Sequence, residues 1–192
     1  MRHTFTGKAK RWVVIGGLLL LMCTSSVSYV QAAALLNEAE INSLTYMREE
    51  EKLARDVYLY FYDKYGSGIF YNISKSEQTH MNAIKTLLDR YGLDDPAAGN
   101  DPGVFDNSDL QALYTELIGG GSESLTAALK VGVFIEMTDI DDLNKGMITT
   151  DRRDIDKVYS NLLQGSLNHW DAFCSNLKKL KGDCAPYVLP VQ

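Results

Sequence analysis

The residues of this chain that could do chemistry recur at helical spacing. Glu77 and His80 stand three residues apart, and on a helix that spacing places a carboxylate and an imidazole on neighbouring turns of one face. His169 lies in another helical stretch, and the only histidine besides these two is His3. Oxygen and nitrogen donors of this kind suit iron and manganese. The candidate ligands, each in phase with an inward helical face, are Glu51, Glu77, His80, Glu136, Asp139 and His169.

Each candidate interrupts a helical row that is otherwise apolar, as Glu51 does between Leu44 and Tyr58. Four carboxylates without partners in an apolar interior would cost several kcal/mol each or would stay protonated. No Lys or Arg falls in these rows. Two divalent cations would neutralise four carboxylates, and neutral imidazoles would complete the coordination. The sequence therefore predicts two metal ions, and iron, manganese or a mixture is favoured because the rows contain no thiolate.

The elements that must position these residues are helices. Apolar residues recur at helical spacing from Leu36 onward, which predicts an all-α domain. Short loops after the first and third long helices predict two antiparallel hairpins, joined by a long crossover. We therefore expect an antiparallel four-helix bundle with one crossover that contains a short extra helix. The predicted long helices span residues 37–64, 72–91, 122–143 and 151–180, and the short helix spans 108–118.

Several segments resemble known families. The segment EKLARDVY (51–58) resembles rubrerythrin-like helices of the ferritin-like superfamily. A closer resemblance, over nearly the whole mature chain, is to the family called domain of unknown function 2202. The segments that carry it are REEEKLARDVY (48–58), SEQTHM (76–81), LQALYTEL (110–117), IEMTDIDDL (135–143) and DIDKVYSNLLQGSLNHWDAF (154–173). The resemblance implies a metal-binding, ferritin-like four-helix bundle and brings no settled activity.

One position departs from the usual di-iron pattern. A typical site carries a second Glu-x-x-His, but the matching stretch here begins with Ser166, three residues before His169. Serine cannot replace a bridging carboxylate. Asp139, three residues after Glu136, is expected to supply the fourth acid instead. This redistribution leaves the bridging geometry and the stoichiometry of two metals open.

Individual residues also have structural interpretations. Glu77 could close a capping box with Ser74, and Asp139 could lie on an exposed helical face. The acidic run 49–51 could be a solvated face, with Glu50 as a substitute ligand. A lone buried histidine is more often hydrogen-bonded than metal-bound, so only the whole constellation favours ligation.

Three hydroxyl groups are candidates for orienting the ligands by hydrogen bonds. They belong to Tyr58, Tyr159 and Ser166. For the two tyrosines, ordinary aromatic packing is the alternative.

Residues 1–34 have the pattern of a cleavable export signal. Basic residues precede the apolar run from Trp12 to Met22, and Ala32–Ala34 offers small residues for cleavage. An uncleaved membrane anchor is the alternative, but the apolar run is about half of the roughly 20 residues that a crossing needs. The predicted mature domain is 35–192, in the periplasm or outside the cell.

Cysteine content and charge fit this expectation. In an oxidising compartment Cys174 and Cys184 would form a disulfide, and two free thiols are the alternative. Cleavage would remove four of the 19 basic side chains and none of the 25 acidic ones, which leaves a formal charge of −10. Such a charge argues against nucleic acid as a partner. The membrane would be met only through the signal segment.

The leading expectation is an exported di-iron or mixed iron and manganese oxidoreductase of the ferroxidase or peroxidase type. It would react with oxygen, peroxide or ferrous iron. No Cys-x-x-Cys pair follows the bundle, so electrons would come from an external donor or from ferrous iron itself. The alternatives are non-catalytic metal binding or buffering, and a metal-free structural or interaction bundle. A homodimer is compatible with the sequence.

Overall fold

The computed structural model describes residues 36–190, so the predicted signal segment 1–34 lies outside the described residues. Within the described range the chain forms five α-helices and no strand, which confirms the prediction of an all-α fold. The helices are α1 (Glu38–Tyr65), α2 (Gly68–Tyr91), α3 (Ser108–Gly121), α4 (Leu125–Thr149) and α5 (Arg153–Lys179). None of these helices is long and apolar enough to cross a membrane.

The four long helices form a bundle of two hairpins. α1 packs along α2, and α4 packs along α5, while α1 also contacts α4 and α2 contacts α5. The two-residue link 66–67 joins the first pair, and the three-residue link 150–152 joins the second. Residues 92–124 cross between the hairpins and contain α3, which packs on α1 and α4. This is the predicted bundle with one long crossover.

Helix α1 begins and ends at local sequence signals. The side chain of Asn37 accepts a hydrogen bond from the Glu40 amide, and Glu40 Oε2 accepts one from the Asn37 amide, both at 2.9 Å. This reciprocal capping box satisfies two amides that would otherwise lack partners. At the other end Gly66 adopts the left-handed conformation, with φ 65°, which glycine reaches without steric cost.

Three predicted helix bounds are wrong, and glycine explains two of them. α3 runs through Gly120 to Gly121, because a missing side chain there makes room for the rings of Tyr187 and Phe61. α4 continues past the predicted end at 143 to Thr149, and its Gly146 lies against the ring of Tyr159. α2 begins at Gly68 rather than at residue 72. In α3 and α4, tertiary packing outweighs the low intrinsic helix preference of glycine.

The apolar core is divided into two layers. One layer surrounds Phe61, Phe70 and Phe173, and the other surrounds Leu44 and Tyr159. On every long helix the candidate ligands lie between the stretches that supply the two layers. The candidate site is therefore closed off by apolar side chains along the bundle in both directions.

Buried cations on α1 hold the crossover rather than the bundle centre. Arg48 donates to both carboxylate oxygens of Asp95, at 2.9 and 3.0 Å. The Lys52 ammonium donates to the carbonyls of Asp101 and Val104, at 2.9 and 3.0 Å. The ammonium of Lys52 also pairs with Asp56 on α1 at 2.7 Å, so neither cation is a partner of the central carboxylates.

Asp95→Ala is expected to lower the free energy of unfolding by roughly 3 kcal/mol at pH 7, because it leaves the Arg48 guanidinium buried without its partner. Burial raises the pKa of Asp95, but Arg48 and the Ala97 amide outweigh burial and hold the pKa below its usual value. A carboxylate with a depressed folded pKa stabilises the fold fully above its unfolded pKa of about 3.9, and this stabilisation is lost as the pH falls through the lower folded value.

Urea denaturation of both proteins between pH 3 and 7 measures this effect. The difference should be constant from pH 7 to 5 and should shrink at the acidic end. Asp89→Ala is the matched control, since Asp89 pairs with Lys85 in an exposed salt bridge and should cost little. An Asp95→Ala penalty as small as that of the control would contradict the anchoring role.

A disulfide joins Cys174 in α5 to Cys184 in the C-terminal segment. The same segment is held on α4, where the Tyr187 amide donates to the Lys130 carbonyl at 2.9 Å. The carboxylate of Asp183 adds a partly exposed salt bridge to the Lys130 ammonium at 2.9 Å. The end of the described chain therefore lies against the α4 and α5 pair.

Candidate metal centre

Glu77 lies at the centre of the candidate site, with one carboxylate oxygen turned to each histidine. Glu77 Oε2 is 2.8 Å from His80 Nδ1, and Glu77 Oε1 is 2.9 Å from His169 Nδ1. The two imidazole rings are inclined to each other by 27°, with centroids 5.5 Å apart. A carboxylate placed in this way between two imidazoles is suited to bridge two cations.

Two further carboxylates complete two similar triads. Glu51 Oε2 from α1 is 3.2 Å from His80 Nδ1, and Glu136 Oε2 from α4 is 3.4 Å from His169 Nδ1. Among the described residues, these are the two groups whose ligand atoms all lie within 4.8 Å of one another. Each triad therefore has two carboxylates and one imidazole, and Glu77 belongs to both.

Hydrogen bonding accounts for only part of these contacts, since His80 Nδ1 and Glu51 Oε2 form a buried hydrogen bond at 3.2 Å. Although Glu77 Oε1 and His169 Nδ1 are close, their geometry is not that of a hydrogen bond, and both atoms are buried without a partner. Glu51 Oε1 and Asp139 Oδ1 are also buried and unpaired. Buried polar atoms normally have partners, and leaving them unpaired is costly. Cations held between these atoms would satisfy them.

Asp139 lies near both triads and is linked to the position of the missing glutamate. It is 5% exposed, so the alternative of an exposed helical face is wrong. The Ser166 hydroxyl on α5 donates to Asp139 Oδ2 and also lies 2.9 Å from the Leu162 carbonyl. Ser166 on α5 thus orients the carboxylate of Asp139 on α4, whose Oδ1 atom remains unpaired.

The acidic run 49–51 is buried throughout, so the solvated-face interpretation is wrong. Glu49 accepts hydrogen bonds from the amides of Asp106 and Asn107 at the start of α3, at 2.7 and 3.1 Å. Glu51 faces His80, while Glu50 lies outside both triads. Only one of three neighbouring glutamates, therefore, faces a histidine.

The alternative capping role for Glu77 is also wrong. Ser74 lies inside α2, six residues after the helix begins, and its hydroxyl donates to the Tyr71 carbonyl at 2.8 Å. The side chain of Glu77 is 2% exposed and points into the bundle.

The two tyrosines proposed to orient ligands have different partners. The Tyr58 hydroxyl donates to Glu136 Oε1 at 2.6 Å, which leaves Glu136 Oε2 facing His169. The Tyr159 hydroxyl instead lies 2.8 Å from Ser43 Oγ, away from the triads. Tyr58 can therefore fix a candidate ligand, and Tyr159 belongs to the packing of the second core layer.

Gly165 contributes to the site without any side chain, and the sequence pattern does not reveal it. A Cβ atom at this position would come within 2.5 Å of His80 Nε2. The glycine lets α5 approach the imidazole closely and fixes the ring with Nδ1 toward the carboxylates. A glycine inside a long helix, directly before Ser166, is the only signal that could have indicated this role.

The pKa values show how strongly these groups interact. Burial raises the pKa of Glu77, but contacts with His169 and His80 outweigh it and lower the pKa to about 2. Burial lowers the pKa of His80 and His169, but the neighbouring carboxylates outweigh it and raise these values to about 11 and about 10. Without cations, the imidazoles therefore hold protons that balance part of the negative charge.

The remaining carboxyls have raised pKa values. Burial and the charge of Glu77 raise the pKa of Glu136 to about 8. Burial raises the pKa of Asp139 to about 7, against the hydrogen bond from Ser166. Burial and the charge of Asp139 raise the pKa of Glu51 well above its usual value. Protons and divalent cations would compete for the same atoms, as is usual for metal ligands.

The donor set fits divalent iron or manganese. It offers oxygen and imidazole ligands from all four long helices, with unpaired buried atoms and no thiolate. All six residues selected from the sequence lie together in the bundle interior. Metal binding by them stays a prediction.

Fold and geometry together define the class of protein, a four-helix bundle with a buried cluster of carboxylates and histidines. The chain belongs to the family described as "Uncharacterized protein domain (DUF2202)", whose match covers residues 40–189. It is 48% identical over 154 residues to "Uncharacterized protein MJ0754" of Methanocaldococcus jannaschii, covering 80% of this chain and 83% of that protein.

The fold is similar to a solved structure. The crystal structure of hypothetical protein MJ0754 from Methanococcus jannaschii matches with a TM-score of 0.77 and 47% sequence identity. The match covers 80% of this chain and 88% of that one. The sequence relative and the solved structure are the same protein, and neither its name nor that of the family states an activity.

Proposed function

We propose that this chain is a ferritin-like carboxylate protein that binds two iron or manganese ions and carries out oxidation–reduction with oxygen, peroxide or ferrous iron. One observation carries the proposal. The two oxygens of Glu77 face two histidines from different helices, and each histidine faces a second carboxylate, Glu51 or Glu136. A metal-free structural core gains nothing from this arrangement, because buried charge costs more than well-packed apolar residues.

The residues of the chain supply binding, orientation and exclusion of water. Glu77, His80 and His169 would hold the metal, because one oxygen of Glu77 lies near Nδ1 of each histidine. Tyr58 holds Glu136 in place by its hydrogen bond. Ser166 does the same for Asp139, which is the proposed substitute for the glutamate missing from α5.

Bound metal would supply the capacity to exchange electrons with oxygen or peroxide. The protein would keep that chemistry dry, since apolar layers close the site on both sides. The unpaired oxygens of Glu51 and Asp139 would be available to hold the metal as further oxygen ligands. An external donor, or ferrous iron itself, would supply the electrons.

We further propose that the protein works outside the cytoplasm. The signal-like pattern of residues 1–34 supports this, and so does the disulfide between Cys174 and Cys184.

The test combines metal analysis with oxygen consumption. Protein purified without chelators should contain about two iron or manganese ions per chain. After anaerobic loading with Fe(II), it should consume oxygen or peroxide faster than the same concentration of free Fe(II). Stoichiometric metal without faster consumption would replace the redox proposal with metal buffering. Substoichiometric metal, together with no thermal stabilisation by Fe(II) or Mn(II), would exclude both and leave a structural bundle.

A further inference from the structure

A line of carboxylates runs along α4 from the candidate metal centre toward the surface. Glu136, Asp139 and Asp142 follow one another at intervals of three residues, which places them on neighbouring turns of one face. Glu136 is 1% exposed and Asp139 is 5% exposed. The side chain of Asp142 is 20% exposed, so the line reaches solvent at this residue.

Glu50 on α1 lies beside this line. It is 4% exposed, and its Oε2 atom is buried without any hydrogen-bond partner. Burial raises the pKa of Glu50, and so do the charges of its neighbours Asp139, Asp142 and Glu51. Glu50 thus stands between the surface carboxylate and the centre, and it belongs to neither triad.

The outer end of the line opens into a surface hollow between α1 and α4. This hollow has a volume of about 350 Å³, and Ser43, Met47, Asp142 and Gly146 lie on its wall. At its mouth the Lys145 ammonium lies 2.8 Å from Asp142 Oδ1 and 2.7 Å from Asp141 Oδ2. Within the described residues, solvent therefore meets Asp142 next to a buried and unpaired glutamate.

We propose that Asp142 and Glu50 form the uptake route by which divalent cations reach the metal centre. Asp142 receives the cation at the surface hollow, Glu50 takes it into the bundle, and Asp139 and Glu51 receive it at the centre. This proposal rests on the proposed function, because it supplies the path to that site.

Electrostatics supports transfer along this line. Glu50, Asp139 and Asp142 leave an excess of negative charge beside Lys145. An excess of one charge in a cleft raises the local concentration of the opposite charge and its association rate by about 10 to 1000-fold. Carboxylate oxygens also suit Mn(II) and Fe(II). The unpaired Oε2 atom of Glu50 is costly in the folded protein, and a passing cation gives it a role that no hydrogen bond in the structure does.

The test measures how fast Mn(II) enters and leaves the metal-free protein. The rate of uptake is measured as the loss of the electron paramagnetic resonance signal of free Mn(II) after rapid mixing. The rate of release is measured as the extraction of bound Mn(II) by excess chelator. Asp142→Asn should slow both rates by about tenfold or more, the low end of such field effects, while the final Mn(II) content stays at the wild-type value. A route changes uptake and release together, whereas a permanent ligand changes the equilibrium.

Asp141→Asn is the matched control. It removes the same charge one residue away and disturbs the same Lys145, but Asp141 has a side chain that is 68% exposed and lies off the line. Its rates should stay within about twofold of wild type, because screened surface charge has little effect at physiological salt. Glu50→Gln should resemble Asp142→Asn, and Asp142→Asn decides the matter if the Glu50 variant does not fold.

The outcomes separate the two proposals. If wild-type protein binds neither Mn(II) nor Fe(II), the proposed function fails. If it binds Mn(II) and Asp142→Asn matches Asp141→Asn in both rates, the uptake route fails and the metal centre stands. If Asp142→Asn binds less Mn(II) at equilibrium, Asp142 is a ligand and the route is likewise refuted.

Discussion

Glu77→Gln is expected to abolish binding of both metal ions, whereas Glu51→Gln and Glu136→Gln should each lose one. Glu77 is the only carboxylate shared by the two triads, and each of its oxygens faces a different histidine. Glutamine has nearly the same shape but carries no charge, and its amide nitrogen cannot serve as a ligand. Glu51→Gln and Glu136→Gln would therefore each weaken metal binding at one triad, and Glu77→Gln would weaken it at both.

The measurement is metal content by elemental analysis after dialysis against limiting free Fe(II) or Mn(II). Glu123→Gln is the control for removing one negative charge, because Glu123 is exposed and lies outside the bundle interior. It should retain the wild-type content. Retention of two metals by Glu77→Gln, or an equal loss in all three site variants, would contradict the bridging geometry.

The rows of helical residues predicted the long-range part of the site. Glu51, Glu77, Glu136 and His169 come from four helices, yet each was identified because it interrupts an apolar face at the right phase. Burial of these side chains follows from that phase once the helices pack. Which carboxylate faces which histidine could not be predicted from helical phase alone. That Glu77 faces both histidines depends on the positions of α1, α2, α4 and α5 relative to one another.

The sequence was least informative where a residue acts by being small. Gly165 makes room for His80, and Gly146 and Gly121 make room for aromatic rings. In a single sequence a helical glycine looks like a weak point or an end, which is why two helices were predicted to end too early. Only the packed structure shows which neighbouring side chain occupies the space that the glycine leaves free.

The burial of all three glutamates in the run 49–51 could not be predicted either. An α-helix has one face toward the bundle centre, so three consecutive acids cannot all point there. They are buried because three different groups surround α1. Glu49 faces the start of α3, Glu50 faces α4, and Glu51 faces His80 on α2. The crossover, whose path the sequence leaves open, covers the outer side of the helix.

Metal-free Glu51→Gln protein is expected to melt at a higher temperature than metal-free wild type, and the order should reverse when Mn(II) is added. Burial and the charge of Asp139 raise the pKa of Glu51. A carboxyl with a raised folded pKa loses stability as the pH rises above its unfolded value of about 4.3. Glutamine does not titrate, so it avoids this loss at pH 7.

Metal reverses the order because it binds the folded state. At a free concentration of about 1000 times the dissociation constant, one site adds roughly 4 kcal/mol. At about 2–4 °C per kcal/mol for a domain of this size, wild type should gain roughly 8–16 °C per site. Glu51→Gln should gain less, since it keeps only the position at His169 and Glu136.

Calorimetric melts in chelator and in Mn(II), at pH 5 and pH 8, test both halves of this prediction. In chelator the advantage of Glu51→Gln should be larger at pH 8 than at pH 5. The stability that the wild-type carboxyl loses grows as the pH rises above its unfolded pKa. Glu38→Gln is the control, as Glu38 is exposed on the same helix and should leave the order unchanged. If metal-free Glu51→Gln melted below wild type, Glu51 would stabilise the fold through its contact with His80, and its burial would need no metal to explain it.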